Sequence, residues 1–184
     1  MRFSYENIDS TFFIFIDIQD KLVSMVPDKI QQVLEKNVTL LKECADVFNI
    51  DTIITEQYPD GLGKTHSCLP CSQENNVIEK LHFNCNNDTE FCESINSEKK
   101  TIYVLSGIET HICVFQTAID LLNQNYEVII VIDAVASRKK LHWKTALSTL
   151  QNKGAILLPA ESVVFLLLQK AGTKEFKHLS RLIK

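Results

Sequence analysis

Thr101-Ile102-Tyr103-Val104-Leu105-Ser106-Gly107-Ile108-Glu109-Thr110-His111-Ile112-Cys113 changes pattern along its length. An unbroken apolar run at 102–105 leads in, and an apolar-periodic segment at 114–122 leads out. The first reads as a strand buried on both faces, the second as a helix. Cys113 is thus placed at a strand-to-helix turn, at the start of the helix. Backbone N–H groups there lack intrahelical partners, and the helix dipole favours negative charge. Both effects predict a stabilised thiolate, and the same N–H groups are suited to holding an oxyanion. The plain alternative is a small buried hydrophobe, which most free cysteines are.

The same strand–helix rhythm continues on both sides. Residues 11–16 form another continuous apolar run, closed by Asp17. A helix is predicted over 28–48, where Ile30, Val33, Leu34, Val38, Leu41, Ala45 and Phe48 make an apolar stripe behind Pro27. Further strands are predicted at 51–55, 101–105, 127–132 and 155–158, with helices at 141–152, 161–169 and 174–183. This alternation predicts an α/β fold, a three-layer α/β/α sandwich with a mostly parallel, Rossmann-like central sheet. Reactive groups in such folds gather at the carboxyl ends of the strands, where Asp17 and Cys113 both fall.

With 184 residues the chain fits one domain, spanning 1–184. The formal net charge of −4 gives no general field for nucleic acid, so no nucleic-acid partner is expected. No apolar run is long enough to cross a bilayer, and the polar first ten residues read as neither signal nor transit peptide. The expectation is a cytoplasmic protein with reduced thiols. Residues 57–100 differ from the rest: they hold Gly, Pro, Ser, Asn and four of the six cysteines. They read as a long, partly irregular excursion with a short strand near 80–83.

Taken in order, several blocks resemble the isochorismatase-like cysteine hydrolase superfamily, in particular its small isochorismatase domain-containing members. They are Asp17-Ile18-Gln19, Thr55-Glu56-Gln57-Tyr58-Pro59 with Gly61-Leu62-Gly63, Glu79-Lys80-x-x-Phe83, and Gly107 to Cys113. Asp133-Ala134-x-x-Ser137-Arg138 and Glu161-Ser162-Val163-Val164-Phe165 complete the set. The resemblance implies the sandwich fold and a catalytic triad of Asp17, Lys80 and Cys113. Asp17 would serve as general base and then acid, Lys80 would keep Asp17 ionised and lower the thiol pKa, and Cys113 would attack an electrophilic carbon. It also implies a cis peptide at Ile108–Glu109, with the N–H groups of Glu109 and Cys113 facing a developing oxyanion. The chemistry is sound by itself, since a nucleophile, a base and an orienting charge make the general arrangement for covalent catalysis.

Two departures narrow the expectation. The Asp-x-His-x-x-His pattern of metal-binding nicotinamidases is missing, because His66 is followed by Ser67-Cys68-Leu69-Pro70-Cys71. No metal and no cofactor are therefore expected. Asn84 follows Phe83 where relatives usually have Ser. Gln57, Tyr58 and Phe83 are the candidate substrate contacts, although either aromatic also suits a core. Cys68-x-x-Cys71 has zinc-ligand spacing, but Cys85 and Cys92 are too far apart for the usual second pair. His111, two residues from Cys113, is not expected to point into the same site, and Asp133 and Arg138 read as caps or ion-pair partners.

The resulting expectation is a metal-independent hydrolase of a small amide, imide or ester-like molecule. The competing expectation is an inactive scaffold of the same fold. A small-molecule substrate and a homo-oligomer are the expected partners, and no membrane partner is expected.

Overall fold

The computed structural model describes residues 2–70, 77–96 and 100–183. Its strands are β1 Thr11–Ile16, β2 Asp51–Gln57, β3 Val77–Lys80, β4 Ile102–Ile108, β5 Glu127–Ala136 and β6 Ile156–Leu158. They form one sheet in the order β3-β2-β1-β4-β5-β6, and every neighbouring pair is parallel. The helices are α1 Asp20–Val23, α2 Asp28–Phe48, α3 Pro59–Leu62, α4 Thr89–Asn96, α5 Phe115–Asn123, α6 Lys140–Asn152, α7 Ala160–Leu168 and α8 Lys174–Ile183.

The continuous apolar strands follow from burial on both faces. Side chains alternate across a strand. Phe13 and Phe15 of β1 join Ile54, Val104, Ile129 and Val131 in a core beneath α2, α7 and α8. Phe12, Ile14 and Ile16 join Ile53, Tyr103, Leu105 and Ile130 in a second core beneath α4, α5 and α6. The predicted three layers are thus present, and the sheet is wholly parallel rather than mostly so.

Several boundaries differ from the sequence reading. β4 runs on to Ile108 and β5 to Ala136, because Gly107 and Ile108 pair with Val135 and Ala136 beyond an irregularity in the ladder. The short strand lies at Val77–Lys80, not 80–83. Beyond Lys80, Leu81 and Phe83 are exposed, so the chain there has no second face to bury. Helix α4 falls in the stretch read as irregular. Phe91 and Ile95, four residues apart, are its buried anchors and make one helical face.

Gly107 is required where β1 and β4 meet. Its φ is +138°, and a Cβ there would lie 2.0 Å from the Ile16 carbonyl oxygen. Gly107→Ala is expected to cost about 3 kcal/mol or more from strain and overlap. Gly154→Ala is the control. Its φ is also positive, at +104°, but a Cβ would meet nothing within 4 Å. Only the conformational cost of about 1–2 kcal/mol should remain there. Denaturant midpoints of the two variants should differ accordingly.

Candidate active site

The strand order reverses direction between β1 and β4, and parallel sheets place ligand crevices at the carboxyl ends of strands flanking such a point. Asp17 directly follows β1, and Cys113 lies just beyond β4. Strict alternation after Ile16 would send the next side chain toward α2. The left-handed backbone of Asp17, φ 51°, breaks that alternation. Asp tolerates this conformation better than most residues. The Asp17 N–H donates to the Thr55 carbonyl at 3.1 Å, and its carbonyl accepts from the Gln19 N–H at 2.9 Å.

The carboxylate is then held from two sides. Thr55 Oγ1 donates to Asp17 Oδ1 at 2.6 Å, and Lys80 Nζ donates to Asp17 Oδ2 at 2.7 Å. Both side chains of the Asp17–Lys80 pair are fully buried. Thr55 and Gln57 are two apart on β2 and share the face of Ile53. Lys80 shares the face of Ile78, and Gln57 pairs in register with Lys80. Strand periodicity alone therefore aims Thr55, Gln57 and Lys80 toward the helix layer that carries Cys113. Lys80 makes two further bonds, to Gln57 Oε1 at 2.7 Å and to the His82 carbonyl at 3.2 Å.

Cys113 is buried and sits in a wide π-type turn, Thr110–Val114, that opens into α5. Such turns recur at functional sites. The thiol lies close enough to Asp17 and Lys80 for both charges to act on it. The helix start favours a stabilised thiolate; the surroundings of the sulfur work against it. Burial pushes the Cys113 thiol well up, the Asp17 carboxylate adds to that, and Lys80 only partly opposes it. Lys80 itself is raised: burial works to lower it, but Asp17, Cys85 and Cys113 together outweigh burial. Burial and Asp17 thus favour the neutral thiol over the thiolate, beside a carboxylate paired with lysine. The rate of Cys113 alkylation by iodoacetamide should accordingly keep rising with pH through 9, without the near-neutral plateau of an activated cysteine.

Cys85 entered the sequence reading only as a possible zinc ligand. It is buried beside this cluster, its N–H donates to Thr117 Oγ1 at 3.1 Å, and burial pushes its thiol to about 11 with Lys80 pulling the other way. Cys44, on the buried face of α2, is pushed to about 12 by burial alone. Both folded values lie above the ordinary thiol range near 8.5. Each thiol's contribution is therefore fully present below that range and is lost as pH rises through the folded value. Above about pH 9 the unfolded chain binds fewer protons than the folded one, so stability falls with pH. Melting temperatures should drop steadily from pH 9 to 11, and less so in Cys44→Ala.

The remaining candidates separate clearly. The Ile108–Glu109 peptide is cis. The Glu109 carboxylate turns toward the segment after β5, where it accepts from Arg138 N and Nε, both at 3.0 Å. Asp133 Oδ1 accepts the Ala160 N–H at the start of α7, at 2.8 Å. Both residues are the cap and ion-pair partners the sequence implied. His111 Nδ1 meets Ser137 Oγ at 3.1 Å, and its ring packs on His142 with centroids 4.4 Å apart. Tyr58 and Phe83 are half exposed and outside both cores, just past the carboxyl ends of β2 and β3. Gln57, a candidate substrate contact, is instead committed at both ends of its carboxamide, since Nε2 donates to the Leu81 carbonyl at 2.7 Å. Cys68 packs against the core under α2 and Cys85 lies in the core under α5, on opposite sheet faces, so they share no site. Cys71 lies outside the described residues.

Comparison with known proteins identifies the family. The family model for the isochorismatase domain matches residues 11–162. Isochorismatase family protein 1B of Dictyostelium discoideum is 33% identical over 183 residues, covering 96% of this chain and 88% of that protein. Secreted isochorismatase effector Isc1 of Phytophthora sojae (strain P6497) is 36% identical over 145 residues, covering 76% and 69%. That relative is described as secreted, so the domain by itself does not assign a compartment. Among the described residues, no helix is long and apolar enough to cross a membrane. Among solved structures, MAR1 ribonuclease from Caenorhabditis elegans superposes with a TM-score of 0.84 at 29% identity, covering 96% of this chain and 91% of that one. The family match opens on the first residue of β1 and closes beyond β6, so it spans the whole sheet and the positions of Asp17, Lys80 and Cys113. The chain belongs to the isochorismatase domain family.

Proposed function

We propose that this protein is a metal-independent cysteine hydrolase of a small amide, imide or ester-like substrate, with Asp17, Lys80 and Cys113 as its triad. The observation that carries this reading is the convergence of the three groups at one strand-order reversal. A buried carboxylate with its charge fixed by an ammonium lies beside a buried thiol. A thiol this hard to ionise needs a base at the moment of attack, and Asp17, the carboxylate whose charge acts on it, would serve.

The steps balance. The Cys113 proton passes to Asp17 as the sulfur bonds to the carbonyl carbon. The oxyanion that forms is received by the Glu109 and Cys113 N–H groups, each such donor being worth about 3–4 kcal/mol of barrier. Asp17 returns the proton to the leaving amine or alcohol, leaving a thioester. Asp17 then takes a proton from water, the hydroxide oxygen bonds to the acyl carbon, and the sulfur leaves and is reprotonated. Lys80 stays charged throughout and keeps Asp17 anionic between proton transfers. Tyr58 and Phe83, half exposed at the same edge, would contact the substrate.

The test is hydrolysis of a panel of small amides, imides, ureido acids and p-nitrophenyl acetate, assayed with and without a metal chelator. A single-stranded RNA should be included because of the ribonuclease relative. Turnover of a small molecule that survives chelation is expected, with the RNA left intact. RNA cleavage without small-molecule turnover, or turnover abolished by the chelator, would overturn the reading.

A further inference from the structure

We propose that Gln57 is a positioning residue for Lys80: its neutral carboxamide holds the ammonium against Asp17 and Cys113 without cancelling its charge, and Gln19 in turn fixes Gln57. This rests on the triad reading above and adds two residues to it. Lys80 Nζ is fully buried and has three acceptors: Asp17 Oδ2, the His82 carbonyl and Gln57 Oε1. Gln57 is the neutral side chain among them. An ammonium on a four-carbon stem is a mobile point charge, so its direction is set by its acceptors. A carboxylate in place of Gln57 would give the same hydrogen bond but neutralise the field that reaches the thiol.

Gln57 itself has no rotational slack. Its Nε2 donates to the Leu81 carbonyl at 2.7 Å, immediately after Lys80. Its backbone N–H donates to Gln19 Oε1 at 2.8 Å, and its carbonyl accepts from Gln19 Nε2 at 3.1 Å. The Gln19 carboxamide thus clips the end of β2 as a neighbouring strand would. Gln19 Nε2 also donates to the Gly63 carbonyl at 2.6 Å. Gln19 is fully buried and Gln57 nearly so. Two carboxamides in series therefore connect the loop after β1 to the ammonium at the end of β3. Each carboxamide nitrogen and oxygen in the series has at least one partner, as buried polar groups require.

The test is the rate of Cys113 carbamidomethylation by iodoacetamide, read by peptide mass spectrometry at a series of pH values. Cys92, away from the triad, is the internal control. Gln57→Glu keeps an acceptor but adds a negative charge. It should slow Cys113 labelling about tenfold at each pH, a shift of about one unit toward high pH, with Cys92 unchanged. Gln57→Met keeps the charge of Lys80 but releases its direction, and should slow labelling at least about threefold. It also reports if Gln57→Glu does not fold. Lys80→Met separates the two levels of inference. If its Cys113 labels like wild type, the triad reading fails. If Lys80→Met is slow while a folded Gln57 variant labels like wild type, the positioning role of Gln57 fails and the triad stands.

Discussion

Cys113→Ala is expected to lower turnover by at least about 10⁴-fold while leaving the fold intact. The size follows from its role: with no sulfur there is no covalent intermediate, and only binding and oxyanion contacts remain to speed reaction with water. The fold survives because the lost atom is one sulfur in a core already held by Val114, Ala118 and Leu121 of the same helical segment. The stability cost should be about 1 kcal/mol. Hydrolysis of p-nitrophenyl acetate, with circular dichroism of the same sample, checks both halves. Retention of wild-type turnover would remove Cys113 from the chemistry.

Lys80→Met carries the largest expected loss of stability. It leaves the Asp17 carboxylate buried with Thr55 as its remaining side-chain partner, and leaves Gln57 Oε1 without its donor. Breaking a buried pair from one side costs about 3–5 kcal/mol. The cost should shrink when the carboxylate is also removed. In an Asp17→Asn background, Lys80→Met should therefore cost less by about 2 kcal/mol or more, measured as a double-mutant cycle in urea. Strict additivity would mean that the two groups do not interact in solution as they do here.

Much of this site was legible along the chain because strand ends are easy to read. Asp17 closes an apolar run, and Cys113 opens an apolar-periodic one, so the carboxyl edge of a parallel sheet was set by pattern alone. Lys80 was not: in isolation it is one lysine in a polar stretch, and only its neighbours Glu79 and Phe83 gave it a family likeness. Thr55 and Gln57 stood inside a recognised block, yet their work is tied to a property visible only in pairing, their alternation with Ile53 on one face of β2. That parity was available from the sequence and would have placed Gln57 on the face of Thr55 and Ile53. Cys85 gave no such signal, since it is buried by a core assembled from elements distant in sequence. The thiolate expectation failed for a physical reason. A helix start stabilises charge, but Cys113 lies in a wide turn, buried, and next to a carboxylate, and these outweigh it.

The proposed hydrolysis requires the sulfur of Cys113 to bond to the acyl carbon during turnover. Acid quenching in the steady state with p-nitrophenyl acetate, followed by peptide mass spectrometry, tests this bond. An acetyl adduct is expected on the peptide containing Cys113, absent in Cys113→Ala and accumulating less in Lys80→Met. Steady turnover with no adduct at Cys113, or with the adduct on another of the six cysteines, would contradict it.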